Sequence, residues 1–237
     1  MKAKTKLATL LTALLFSHFA ATAQAADAGN IERASGTVTV SGPNGQPRAA
    51  SPNTKIQSGD TLTTDARSEA LVKMADNSVI ALRPNTTFQF TNFQFEEKPT
   101  DSVVSTLLRG TARMVSGLIG KSRPNNVALR ASTATIGIRG TDFEVALVEA
   151  DTQESRAGIY NYVHDGGTNI SLAQGPSAEV AKDKTAFAPA NPRPGEAALQ
   201  ILDTRPVFLQ SGGGFDAVMQ SVTNLPMNII QQMPSFR

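Results

Sequence analysis

An all-β fold is predicted by three observations: short runs of alternating apolar residues from Ile31 to Val180, turn-forming residues between nearly all of them, and almost no sustained 3.6-residue period. The first run alternates Val38 and Val40 with Thr37 and Thr39, and Ser41-Gly42-Pro43-Asn44-Gly45 ends it. Ile56 closes a strand, Gly59-Asp60 turns the chain and Leu62 opens the next strand. Ala70 to Met74 and Val79 to Leu82 form a predicted hairpin about Ala75-Asp76-Asn77-Ser78, and Pro84-Asn85 turns the chain again. Phe88 and Phe90 lie on even positions but Phe93 and Phe95 on odd ones, so the pairing slips by one residue at Thr91-Asn92.

Between Ser102 and Ile119, Thr106, Thr111 and Val115 favour strands, while Gly110 and Gly117 divide the run. A hairpin about Arg109-Gly110 and a helical turn near Ser116 to Gly120 are predicted. Val127 to Ala131 leads into ATIGIRGTDFEVALV, residues 134 to 148, where the apolar phase changes from Ile136 and Ile138 to Phe143, Val145 and Leu147. A bulge or corner at Gly140, which can take a positive φ, returns the second set to the core, and Thr141 and Asp142 can hydrogen-bond locally to close it. Gly158 to Val163 and Thr168 to Leu172 flank His164-Asp165-Gly166-Gly167, a predicted hairpin. Ala178 to Val180 is the last predicted strand.

The N-terminus predicts export. Lys2, Lys4 and Lys6 precede an apolar stretch from Leu7 to Ala21, and Ala23-Gln24-Ala25 places small residues at a cleavage site. The stretch is short of the roughly 20 residues that span a bilayer, so residues 1 to 25 read as a cleaved signal peptide and the protein as periplasmic. Removing them takes three lysines and leaves 19 of the 22 basic residues against 20 acidic ones, so the mature surface is close to neutral. Such a surface offers no footprint for nucleic acid or anionic membrane. No later apolar run is long enough to span, and no lipidation cysteine precedes the cut.

The chain has no cysteine and no tryptophan, and His164 is the one histidine outside the signal peptide. Thiol nucleophiles, disulfides and cysteine or multi-histidine metal sites are excluded. His164-Asp165 fits turn geometry better than acid-base chemistry, and no Gly-x-Ser-x-Gly elbow accompanies it. Asp60, Asp76, Asp142 and Asp165 could gather as oxygen ligands for calcium, but each lies in a predicted bend where turn chemistry explains it. Gly212 to Gly214 lack the strand and Lys-Ser/Thr of a phosphate loop. No catalytic, cofactor-binding or metal-binding residue is assigned, and no enzyme activity is expected. The Arg139 guanidinium can bond local carbonyls left unpaired by the bend or bind a partner carboxylate.

In order along the chain, Gly36 to Val40, the turn at Gly59-Asp60, the hairpin from Ala70 to Pro84, Leu107-Leu108-Arg109-Gly110, the string Arg139-Gly140-Thr141-Asp142-Phe143 and Gly166 resemble a FecR-type domain over about residues 31 to 182. The structural signature is Gly59, Asp60, Gly110, Arg139, Gly140, Thr141, Asp142 and Phe143. The resemblance implies a roll or solenoid-like sandwich of short stacked antiparallel strands over residues 26 to 188. Iron-dicitrate type regulators of the family carry a cytoplasmic anti-sigma segment and a membrane helix before this domain. Here the signal peptide leads straight into it, so the expectation is a free exported protein-binding signalling or adaptor module.

Residues 189 to 237 are predicted as a Pro-rich linker and a docking tail, with short helices at Glu196 to Leu202 and Phe215 to Val222. Phe215, Met227 and Ile230 are its candidate partner contacts, beside Arg139. Packing of the tail back onto the β-domain is the plainer alternative. The competing functional class is a small-ligand or glycan binder, with Phe88, Phe90, Phe93, Phe95, Tyr160 and Tyr162 as its aromatic platform.

Overall fold

The computed structural model describes residues 27–210 and Met219 of the 237-residue chain. β1 (Asp27–Ser35), β2 (Val38–Ser41), β3 (Pro47–Ala49), β4 (Lys55–Gln57), β5 (Thr61–Thr64), β6 (Glu69–Met74), β7 (Val79–Leu82) and β8 (Thr87–Gln94) lead into the long β9 (Ser102–Val115). The five-residue helix α1 (Leu118–Ser122) and a 3-10 turn at Pro124–Asn126 follow. Then come β10 (Val127–Ala131), β11 (Ala134–Ile138), β12 (Asp142–Val148), β13 (Gly158–Asp165), β14 (Gly167–Leu172), β15 (Ser177–Ala181), β16 (Thr185–Pro189), β17 (Gln200–Leu202) and α2 (Val207–Gln210). The fold is all-β, as the sequence predicts.

The strands form two layers. Sheet A runs β4-β1-β6-β7-β9-β12-β13-β16-β17. Sheet B runs β3-β2-β5-β8-β9-β10-β11-β14-β15. Every pairing is antiparallel except β9 with β10, which departs from the expected uniformly antiparallel stack. Between the layers lies one apolar core that includes Ile31, Leu62, Val72, Leu82, Phe88, Leu107, Leu129, Ile136, Phe143 and Ile170. Each such side chain contributes about 1.5–3 kcal/mol by leaving water.

The chain repeatedly passes from one sheet to the other at a tight corner. At residues 139–141, β11 leaves sheet B and β12 enters sheet A, so the predicted phase change at Gly140 is a corner, with Gly140 at φ +61°. The slip at Thr91-Asn92 is a bulge in the pairing of β8 with β9. Two predicted hairpins are corners instead. β9 continues through Arg109-Gly110, pairing in sheet B before it and in sheet A from it onward, and Gly110 takes φ +83°. A Cβ there would sit 2.5 Å from Thr86 Oγ1 and 2.6 Å from Asn85 O, so the close approach requires glycine. Likewise β13 and β14 do not pair with each other: β13 lies between β12 and β16, and β14 between β11 and β15. Gly166, at φ +77°, makes that turn against the neighbouring corner, where a Cβ would meet Gly140 O at 2.7 Å.

The helix predicted over Glu196 to Leu202 is also absent. Gln200–Leu202 is strand β17, paired with Thr185, Ala186 and Phe187 of β16. Seven residues are too few to hold a helix unaided, and the ladder on the β16 edge supplies the hydrogen bonds instead. The helix predicted from Phe215 to Val222 lies outside the described residues apart from Met219, which is helical.

Candidate functional site

Alternation along sheet A assigns each side chain to a face. Phe143 and Val145 of β12 point into the core, so Glu144 and Ala146 point out. On β13, Ile159 and Val163 point in while Tyr160, Tyr162 and His164 point out. Outward positions should be wet, but Glu144 is 0 % exposed and Tyr160 and Tyr162 are buried. The segment after β16 covers them: Leu209, Phe208 and Leu202 pack with Ala146, Tyr160, Tyr162 and Phe187. Met219 packs farther across the same face on Leu71, Val79 and Ala81. Residues 200–210 are therefore a strap across the outside of sheet A, and Met219 covers a further part of it.

Under the strap lies a charged cluster. Arg83, just after β7, donates from Nε to Glu144 Oε1 at 2.7 Å, and Arg205 of the strap donates from Nη2 to Oε2 at 2.8 Å. His164 Nε2 stands 3.7 Å from that same Oε2, beyond hydrogen-bond reach. Arg83 also reaches the strap backbone, donating from Nη2 to Leu209 O at 2.9 Å. Burial pushes the Glu144 carboxyl up, but His164, Arg83 and Arg205 outweigh it and hold the group below the usual glutamate range. Beside it, Arg113 grips Asp142 through Nε at 2.8 Å and Nη2 at 2.7 Å. A carboxylate locked between two guanidinium groups is positioned to fasten a segment, not to transfer a proton.

Among the sequence-predicted residues, Asp60 is buried and accepts the Gln57 N–H at 2.9 Å, and Gly59 at φ +92° donates its N–H to Phe90 O. Thr141 closes its corner by donating to Gly167 O and accepting from the Arg139 N–H, and Phe143 is a core residue. Asp142 grips Arg113 and does not bond within the bend. Arg139 is exposed, and its guanidinium bonds no local carbonyl and no acid among the described residues. Phe215, Met227, Ile230 and the glycines from Gly212 to Gly214 lie outside the described residues.

The four aspartates do not converge. Asp76 accepts from Ser78, Asp142 from Arg113 and Asp165 from Lys182, and among the described residues no three His, Cys, Asp or Glu side chains are grouped to hold a metal ion. His164 belongs to β13 and faces Glu144, not a hairpin tip. Phe88 and Phe90 are buried between the sheets, Phe93 and Phe95 pack against that core, and Tyr160 and Tyr162 lie beneath the strap, so these six rings form no common platform. A cleft of about 330 Å³ opens beside the strap, between Thr152–Arg156, Tyr160 and Pro206–Phe208. Arg156 at its wall is held by both oxygens of Glu196, at 2.5 and 3.1 Å.

Glu144, Arg83 and Arg205 were missed by sequence reasoning. One signal pointed to them: an acid inside an apolar strand, out of phase with Phe143 and Val145.

The fold and its buried, internally paired charges define a two-layered, cross-braced β-sandwich. Residues 60–161 match the family model described as FecR protein, and the chain carries a FecR-type domain there. The search of curated proteins finds no match. Two crystal structures of a candidate anti-sigma factor from Parabacteroides distasonis ATCC 8503, at 1.65 and 2.50 Å resolution, are similar at 13% identity and a TM-score of 0.47. Each similarity covers 63% of this chain and 62% of that one, so the chain spans less than two thirds of the solved relative. No helix among the described residues is long and apolar enough to cross a membrane.

Proposed function

We propose that the chain is an exported, non-catalytic protein-binding module that relays or organises signals in the cell envelope. The FecR-type domain over residues 60–161 is the observation that carries this reading. The basic n-region, apolar stretch and Ala-Gln-Ala of the first 25 residues support export to the periplasm. Arg139 supports recognition: it projects from a corner fixed by Thr141 and Gly167 and offers an acidic partner a planar double donor. A regulatory or an adaptor role would follow from what the partner does. Fractionation with N-terminal sequencing, followed by in-cell crosslinking of wild type and Arg139→Glu, tests the reading. The expected result is a periplasmic protein beginning near Ala26, with a specific envelope protein captured by wild type and lost in the variant. A cytoplasmic, uncleaved chain, or equal capture by both, contradicts it.

A further inference from the structure

The strap is unlike the rest of the sandwich. It leaves β16 through Ala190-Asn191-Pro192-Arg193-Pro194-Gly195, an exposed loop, and joins sheet A only as the three-residue edge strand β17. Beyond that, polar ties between the strap and the domain among the described residues run from Thr185 Oγ1 to Thr204 O, Lys184 to Asp203, Arg205 to Glu144 and Arg83 to Leu209 O. Its fully buried side chain is Leu209, while Ile201 and Val207 remain 45% and 68% exposed. The floor beneath it also has pairings of its own. Arg83 with Glu144 and Arg113 with Asp142 pair within sheet A, and Tyr160 stacks on Phe187 at 4.4 Å. Without Arg205, Glu144 would keep Arg83 on Oε1, and Oε2 would lose the guanidinium that it takes from the strap, beside an apolar shelf.

We propose that the outer face of sheet A is a peptide-docking surface whose resident occupant is the chain's own strap, and that the partner it fits is a segment presenting an arginine and, four residues on, a leucine-like side chain. Charge complementarity sets the first requirement, since Glu144 Oε2 takes a guanidinium. The shelf of Ala146, Tyr160, Tyr162 and Phe187, filled by Leu209, sets the second. The proposal rests on the reading of the chain as a protein-binding module but uses a surface other than Arg139. The strap then competes with the partner for one site, which makes the module closed until a better ligand arrives.

The test places a protease site at Asn191–Pro194 of the full-length protein, cleaves it, and adds a labelled synthetic peptide of residues 199–237. Exchange of the severed strap for the labelled peptide, with hydrogen-exchange protection of β12 retained, is the expected result. A peptide carrying Arg205→Ala should bind at least about tenfold more weakly. A host peptide bearing only Arg and Leu four residues apart should compete, whereas one with the leucine moved by two positions should not. Loss of the fold on cleavage, a strap that never exchanges while the domain stays folded, or equal binding of the Arg205→Ala peptide would each overturn the proposal. None of these outcomes bears on partner capture through Arg139, so the two readings fail separately.

Discussion

The two outer faces of the sandwich are built from similar strands and end up differently. Across sheet B, register neighbours Thr61, Gln89, Thr106, Arg130, Thr135 and Ser171 form a row of polar side chains that water can satisfy. Across sheet A, the corresponding outward positions are Leu71, Ala81, Glu144, Ala146, Tyr160 and Phe187, all buried. A face of the first kind needs no cover. The second kind requires a third layer, and the strap supplies it, with the Glu144 cluster as its fastening.

The largest expected effect comes from the charge at the centre of the covered face. Glu144→Ala leaves Arg83 and Arg205 facing each other under the strap and should cost about 3–5 kcal/mol in urea unfolding. Arg130→Ala on the open face should stay within about 0.5 kcal/mol. Equal costs would break the comparison. Next in size is Leu209→Ala, expected to cost about 2 kcal/mol and to raise hydrogen exchange across residues 200–210 before β12.

Acid sharpens the same contrast. The folded-state pKa of Glu144 is lowered, so its stabilisation is fully present above the ordinary value of 4.5 and is lost as pH falls through the lower folded value. Glu196, lowered to about 2 chiefly by its hydrogen bonds with Arg156, with the Arg193 N–H and with Gln200, follows the same sign between 4.5 and about 2. Melting temperature should therefore fall with pH through this window, and exchange in the strap should rise first. The half-buried Arg156–Glu196 share should weaken more with added salt than the fully buried Glu144 share. The smallest expected effect is that of Thr135→Ala on sheet B, within about 0.5 kcal/mol by the same unfolding assay.

The covered face left traces in the sequence. Val79-Ile80-Ala81-Leu82 is a continuous apolar run with no polar alternation, the mark of a strand buried on both sides, and β7 is buried at all four positions. Both phase slips, at Thr91-Asn92 and at Gly140, were legible because a one-residue shift exchanges the faces. What a glycine turn does next was not. Asp-Gly-Gly at 165–167 suits a hairpin or a corner equally, and only the pairing of β14 with β11 decides. Glu144 lies 61 residues from both Arg83 and Arg205, so its partners could not be found by local spacing.

A double-mutant cycle on Glu144→Gln and Arg205→Met tests most directly whether the strap is fastened through the buried carboxylate. A coupling of about 1.5–3 kcal/mol in urea unfolding is predicted, the range for a hydrogen bond between charged groups. Additive effects, with no coupling beyond about 0.5 kcal/mol, would contradict the account and leave the strap held by Leu209 and its apolar neighbours alone.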